Sequence, residues 1–258
     1  MGRSSGRPAL GMAPVKIIHI ALPAYTSQMY CQTFDSLTAE MLYAAQRGIA
    51  LNFDQICGAS DIAAVRNVYI SRFLHGEADR LVFIDTDLAW QTGSIVKLID
   101  HPADFVVGGY RARSDPEKYR IHFLPGPIVK RNPVTGERVD DKDPAGLIEV
   151  KCAPGGLVCI SRDVAKRMID ANPALKYHDA ISPSGSSWGL FDQLHDGDGN
   201  RWSEDLAFCL RWRAIGGKVW LDPDLTTHHF GIKGFEGNLQ TYLTERAKKE
   251  QSEARAAA

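Results

Sequence analysis

A chain of 258 residues with 44% hydrophobic and 24% charged side chains has ordinary globular composition and the length for one large α/β domain. Its 30 Lys and Arg against 31 Asp and Glu leave a formal charge of −1, which excludes a whole-surface field for gripping polyanions or anionic membranes. No window approaches a membrane-spanning length, and the opening MGRSSGRPALGMAP lacks the apolar stretch of a secretory signal. Residues 1–14 read as a loose leader on a cytoplasmic protein. Five cysteines without a C-x-x-C pair fit reduced thiols better than a disulfide framework.

From Val15 the run KIIHIAL is a buried first strand closed by Pro23, with Pro23, Ala24 and Tyr25 in the loop beyond it. Phe34, Leu37, Met41, Leu42 and Ala45 recur at helical spacing, and Gly48 stops that helix. Leu51 to Cys57 predicts a second strand, and Ser60-Asp61 cap a helix carrying Ile62, Val65, Tyr69 and Phe73. The apolar strand Arg80-Leu81-Val82-Phe83-Ile84 ends in Asp85-Thr86-Asp87, and a helix to about Ile99 and a strand from Phe105 to Gly108 follow. This βαβ rhythm predicts a mostly parallel sheet with helices on both faces and ligands beyond the carboxyl ends of its strands.

From Arg111 to Pro144 the pattern dissolves into a surface excursion, with strand-like pieces such as Ile121-His122-Phe123. Strands near 147–152 and 157–160 flank Gly155-Gly156, and a helix capped by Ser161 runs to Ala171. The Gly-, Ser- and Asp-rich stretch Ser182 to Asn200 reads as a loop over a site. A helix from Glu204 to Ile215, a strand at 218–221 and a loop carrying His228 and His229 complete a domain over 15–238, and 239–258 read as a helical tail.

Two carboxylates at the end of a buried strand call for a compensating partner. A hard divalent cation is the natural one, since Mg²⁺ or Mn²⁺ binds through one or two carboxylates together with substrate phosphates. Asp205 lies in the first turn of its helix, where the macrodipole favours an anion placed to accept a proton. Ser203-Glu204-Asp205 also has the composition of an ordinary helix start. Arg66 and Asn67 lie on the helix after the second strand, where an arginine can fork onto a phosphate or the carboxylates.

The strand-borne Asp85-Thr86-Asp87, the Glu204-Asp205 helix start, Gly216-Gly217 and His229-Phe230-Gly231 together resemble GT-A type glycosyltransferases. The likeness covers roughly Val15 to Asn238 and is nearest to small bacterial and phage family-two-like or mannan-polymerase-like enzymes. It implies a GT-A, Rossmann-like mixed sheet in a single domain, a nucleotide-diphosphate sugar as donor substrate, and Mn²⁺ or Mg²⁺. By this resemblance Asp87 binds the metal directly, Asp85 contacts the metal through water or the donor ribose beside Thr86, and His229, in competition with His228, completes the metal set.

The same resemblance implies the catalytic role for Asp205, with Glu204 beside it, and implies the donor and acceptor sides that follow. Pro23, Ala24, Tyr25, Arg66, Asn67, Gly109 and Lys233 fall on the donor side, with Arg111 and Arg113 near the diphosphate. Gly155, Gly156, Trp188 and Trp202 fall on the acceptor side, and the acceptor is a glycan, a small molecule or a modified DNA base. Two rival classes share parts of the pattern. One is a haloacid-dehalogenase-like phosphohydrolase, from which the chain departs at Ala89 and in lacking a late Asp-Asp pair. The other is a noncatalytic nucleotide-sugar-binding protein.

Overall fold

The computed structural model describes residues 15–126, 129–131, 138–140, 146–231 and 233–256, so the leader assigned to 1–14 lies outside the described residues. Strand and helix alternate at once: β1 (Lys16–Ala24), α1 (Cys31–Ala45), β2 (Ile49–Cys57), α2 (Ile62–His75) and β3 (Arg80–Ile84). Next come β4 (Leu88–Trp90), α3 (Ser94–Asp100), β5 (Phe105–Gly108), β6 (His122–Phe123) and the paired β7 (Val129–Arg131) and β8 (Arg138–Asp140). Then follow β9 (Ile148–Cys152), β10 (Leu157–Ser161) and α4 (Arg162–Ala171). Two small ribbons join β11 (Lys176–His178) to β12 (Ser186–Trp188) and β13 (Leu194–His195) to β14 (Arg201–Trp202). The chain ends with α5 (Glu204–Ala214), β15 (Val219–Asp222), β16 (Thr226–His229), β17 (Phe235–Asn238) and α6 (Leu239–Ala256).

The central sheet has eight strands in the order β2-β1-β3-β10-β5-β15-β9-β6. Pairing is parallel for β2/β1, β1/β3 and β5/β15 and antiparallel around β10 and β9, so only those two strands run against the rest. The inner strands β3, β5 and β10 are covered on both faces, which is why they are almost continuously apolar. Ile18, Ile20, Leu22, Val82, Ile84 and Val106 face the layer with Leu37 of α1 and Ile95 and Leu98 of α3. Their alternates Ala21, Leu81, Phe83, Phe105 and Val107 face α2, α4 and α5 through Tyr69, Phe73, Met168 and Phe208. The mixed α/β architecture expected from the sequence is the one observed.

Several elements differ from the sequence reading. The first strand continues through Pro23 and Ala24, which pair in register with Ile56 and Cys57 of β2. Proline is tolerated because β3 pairs with β1 only from Ile18 to Ala21, so the strand is a local edge at position 23. The DxD turn runs into β4, and the histidines lie on β16, a strand rather than a loop; β16 pairs with both β4 and β17. The stretch 182–200 is shaped by the two small ribbons and held by Ser182, whose hydroxyl meets that of Ser71 on α2. Leu239 and Leu243 of α6 are buried, so the first turns of the tail belong to the core. All five cysteines are free; Cys31 and Cys57 are exposed and Cys152, Cys159 and Cys209 are buried.

Candidate active site

The chemistry-bearing residues converge beyond the carboxyl end of β3. Asp85 follows Ile84 directly, and its N–H donates to Gly156 O at 2.9 Å, which ties the DxD turn to the turn leading into β10. Thr86 O accepts from Tyr30 N at 3.1 Å and from Thr33 Oγ1 at 3.1 Å, so the start of α1 fixes the middle of the motif. Phe230 N donates to Asp87 O at 2.8 Å, which places the end of β16 alongside.

Arg66 is the hub beneath these carboxylates. It is 3% exposed on α2, with Nη2 3.3 Å from Asp85 Oδ1 and Nη1 3.1 Å from Glu204 Oε1. Burial opposes its charge, but Asp85, Asp205 and Glu204 outweigh that, and its pKa is raised. Burial likewise pushes the Asp85 carboxyl up, against the pull of Arg66, and pushes Glu204 up with help from the neighbouring Asp205. Asn67 is also buried, and its amide is engaged elsewhere: it donates to Asp192 Oδ1 at 3.1 Å and accepts from Phe191 N at 2.9 Å.

Asp205 stands in the first turn of α5. Its Oδ2 accepts from Gly155 N at 3.0 Å, and its Oδ1 accepts from Leu206 N at 2.8 Å and from the Ser203 hydroxyl. Ser203 occupies the cap position, but its side chain makes no bond to the helix backbone and serves Asp205 instead. A carboxylate has about four acceptor sites, so three donors leave one available. Gly155 and Gly156 allow this approach: a Cβ on Gly155 would meet Arg66 Nη1 at 2.7 Å, and one on Gly156 would meet Asp85 Oδ2 at 2.5 Å.

Asp87 has the most open arrangement. Its Oδ1 is buried without a partner. Its Oδ2 lies 3.5 Å from His229 Nε2 and 3.0 Å from Arg113 Nη1. His229 Nδ1 lies 2.8 Å from Arg111 O, so Nδ1 is the donor there and Nε2 is the ring nitrogen directed at Asp87. Alternation along β16 sends His228 the other way, where it lies 3.4 Å from Glu236 with its side chain 41% exposed. Tyr110 closes the centre: it is 9% exposed, edge-on to His229 at 5.3 Å, and its hydroxyl accepts from Gly156 N at 3.1 Å. Burial, then Asp85 and Asp205, raise its phenol well above the ordinary value.

The remaining expected residues lie further out. Tyr25 is 65% exposed just past β1. Gly109 makes room for Leu239, whose Cδ2 would be 2.9 Å from an added Cβ. Lys233 pairs with Asp115 at 2.6 Å rather than with a DxD carboxylate. Trp188 lies under Lys176, while Trp202 donates to Asp196 at 2.8 Å and lies under Lys151. Tyr30 and Thr33, which dock on Thr86, were not singled out in the sequence, where they look like any helix start.

Comparison with known proteins gives likeness of structure only. No protein-family model matches the chain, and no curated protein matches significantly. Among solved structures, A197 from STIV matches at 15% identity and a TM-score of 0.48, over 83% of this chain and 85% of that one. The catalytic domain of Drosophila beta1,4-galactosyltransferase 7, solved with xylobiose, matches at 14% identity and 0.40, over 81% of this chain and 65% of that one. Residues 1–349 of S. aureus TarS match at 11% identity and 0.40, over 79% of this chain and 57% of that one.

Proposed function

We propose that this chain is a metal-dependent glycosyltransferase of GT-A type, moving a sugar from a nucleotide-diphosphate donor to an acceptor hydroxyl. The observation that carries the reading is Asp87, with one buried carboxylate oxygen lacking any partner and the other facing Nε2 of an oriented histidine. With Asp87 the centre gathers four carboxylates, Asp85, Asp87, Glu204 and Asp205, against two guanidinium groups, Arg66 and Arg113. Such an excess of negative charge suits a divalent cation. Among the described residues no three His, Cys, Asp or Glu side chains form a metal site by themselves. The cation would be held by Asp87 and His229 and completed by donor phosphates, as hard ions at phosphate sites commonly are.

Asp87 and His229 would hold Mn²⁺ or Mg²⁺, with Asp85 behind them. The bound ion supplies positive charge to the departing diphosphate. Arg66 favours the charged forms of Asp85 and Glu204 against burial and holds both in place, and Asp85 and Thr86 meet the donor. Tyr25, beyond Pro23 and Ala24, offers its exposed ring to the base. In an inverting transfer Asp205 takes the acceptor proton through its one open oxygen site. Gly155 and Gly156 give the acceptor a wall without side chains, with Trp188 and Trp202 outside it. Among the described residues no helix is long and apolar enough to cross a membrane.

The test is thermal stabilisation against a panel of nucleoside diphosphates and their sugars, with Mn²⁺ and with chelator, since a ligand bound only by the folded state raises its melting temperature. A Mn²⁺-dependent rise with one of them, absent in Asp87→Ala, supports the reading. No rise with any of them overturns it.

A further inference from the structure

Asp87 Oδ2 is shared between His229 and a second group, Arg113, whose Nη1 also donates to Phe230 O at 3.1 Å. We infer that Arg113 is an exchangeable counter-ion: it neutralises Asp87 while no divalent cation is bound and turns to the donor diphosphate once one is. The inference rests on the glycosyltransferase reading of the site.

Three observations support the exchange. First, the guanidinium grips Asp87 through one oxygen only, leaving Oδ1 bare, so the bidentate fork that makes such pairs strong is missing. Second, the Arg113 side chain is 49% exposed, whereas the Arg66 side chain is buried and bridges two carboxylates. An exposed single-point pair contributes little, so a doubly charged ion competes with it readily. Third, the arm lies against Gly231: a Cβ there would stand 3.0 Å from Arg113 Cδ, so the glycine of His229-Phe230-Gly231 is what admits this side chain beside Asp87.

The neighbouring cations are engaged differently. Arg111, 14% exposed, is pinned by Glu236 O, Ser114 O and Asp115, and Lys233 is paired with the same Asp115. Of these three cations only Arg113 holds a DxD carboxylate, and it stands where a diphosphate would arrive beside a cation on Asp87. The guanidinium is a planar donor set suited to phosphate oxygens, so its second partner is the diphosphate of a nucleotide donor.

The exchange predicts two effects of opposite sign in Arg113→Ala. Titration of the full chain with Mn²⁺ alone, reading free ion by electron paramagnetic resonance, should show binding about twofold to fivefold tighter than wild type, the range set by release of an exposed ion pair. Asp87→Ala should bind no Mn²⁺. At saturating Mn²⁺, calorimetry with UDP and GDP should show the nucleotide that wild type prefers bound about tenfold more weakly by Arg113→Ala, with Arg113→Lys in between. Unchanged or weaker Mn²⁺ binding in Arg113→Ala, beside its loss in Asp87→Ala, overturns the exchange and leaves the glycosyltransferase reading standing. Unchanged nucleotide affinity overturns it too. Absence of Mn²⁺ binding in wild type and Arg113→Ala alike, both alone and in the presence of UDP or GDP, removes the metal centre and the exchange together.

Discussion

Alanine at position 156 ought to disturb the centre by contact alone. The Gly156 backbone is not left-handed, so Gly156→Ala meets no conformational bar and only space decides. The new Cβ would lie 2.5 Å from Asp85 Oδ2, 2.6 Å from Tyr110 Oη and 2.8 Å from Tyr110 Cζ. Neither neighbour is a loose end: Tyr110 is 9% exposed and Asp85 is paired with Arg66. Overpacking of this kind costs about 1–3 kcal/mol. At roughly 2–4 °C per kcal/mol for a chain of this size, a mid-range cost of about 2 kcal/mol lowers the melting temperature by about 4–8 °C. Because the carboxylate of Asp85 must give way, the Mn²⁺-dependent stabilisation by nucleotide should shrink as well. Differential scanning fluorimetry with and without Mn²⁺ and nucleotide reads both effects. A melting temperature within about 1 °C of wild type, with the ligand response intact, would refute the idea that contact with Asp85 and Tyr110 keeps this position glycine.

Arg66→Met should destabilise by about 3–5 kcal/mol in urea unfolding, because removing one partner of a buried ion-pair set strands Asp85 and Glu204; a loss below about 1 kcal/mol would contradict the hub role. Asp205→Asn should lower turnover by about 10²- to 10⁴-fold while nucleotide affinity stays near wild type; an equal fall in nucleotide affinity would point to a donor-side role instead. The Asp222 carboxyl is buried, which works against its charge, but His101 and Lys97 hold its pKa below the ordinary 3.8. A depressed folded value means stability that is present above 3.8 and lost as the pH falls from there through the lower folded value. Acid titration followed by circular dichroism should therefore show Asp222→Asn less stable at neutral pH and with a flatter loss between pH 4 and 2; parallel curves would refute the pairing as the cause.

Local signals in the sequence determined the framework. Apolar runs closed by Asp85-Thr86-Asp87 and by Gly108-Gly109 mark β3 and β5 because a strand covered on both faces must be apolar throughout. Helix starts at Asp61 and Ser161 were legible because their side chains accept from the backbone one turn ahead, at Ala63, Ala64 and Val164. The Glu204-Asp205 start and the His228-His229 pair could be singled out by residue type, but not their partners.

Tertiary structure decided those partners, because they join residues far apart in the chain. Arg66 and Glu204 are 138 positions apart, and only the packing of α2 against α5 makes one guanidinium serve both Asp85 and Glu204. Short strands such as β4 and β16 carry no alternation long enough to announce themselves, yet their pairing turns His229 rather than His228 towards Asp87. The same holds for Asn67, an expected donor contact whose amide bonds Phe191 and Asp192. Sequence periodicity reports which face of an element is buried. What that face meets is set by long-range hydrogen bonds and ion pairs whose geometry exists only once the layers have assembled.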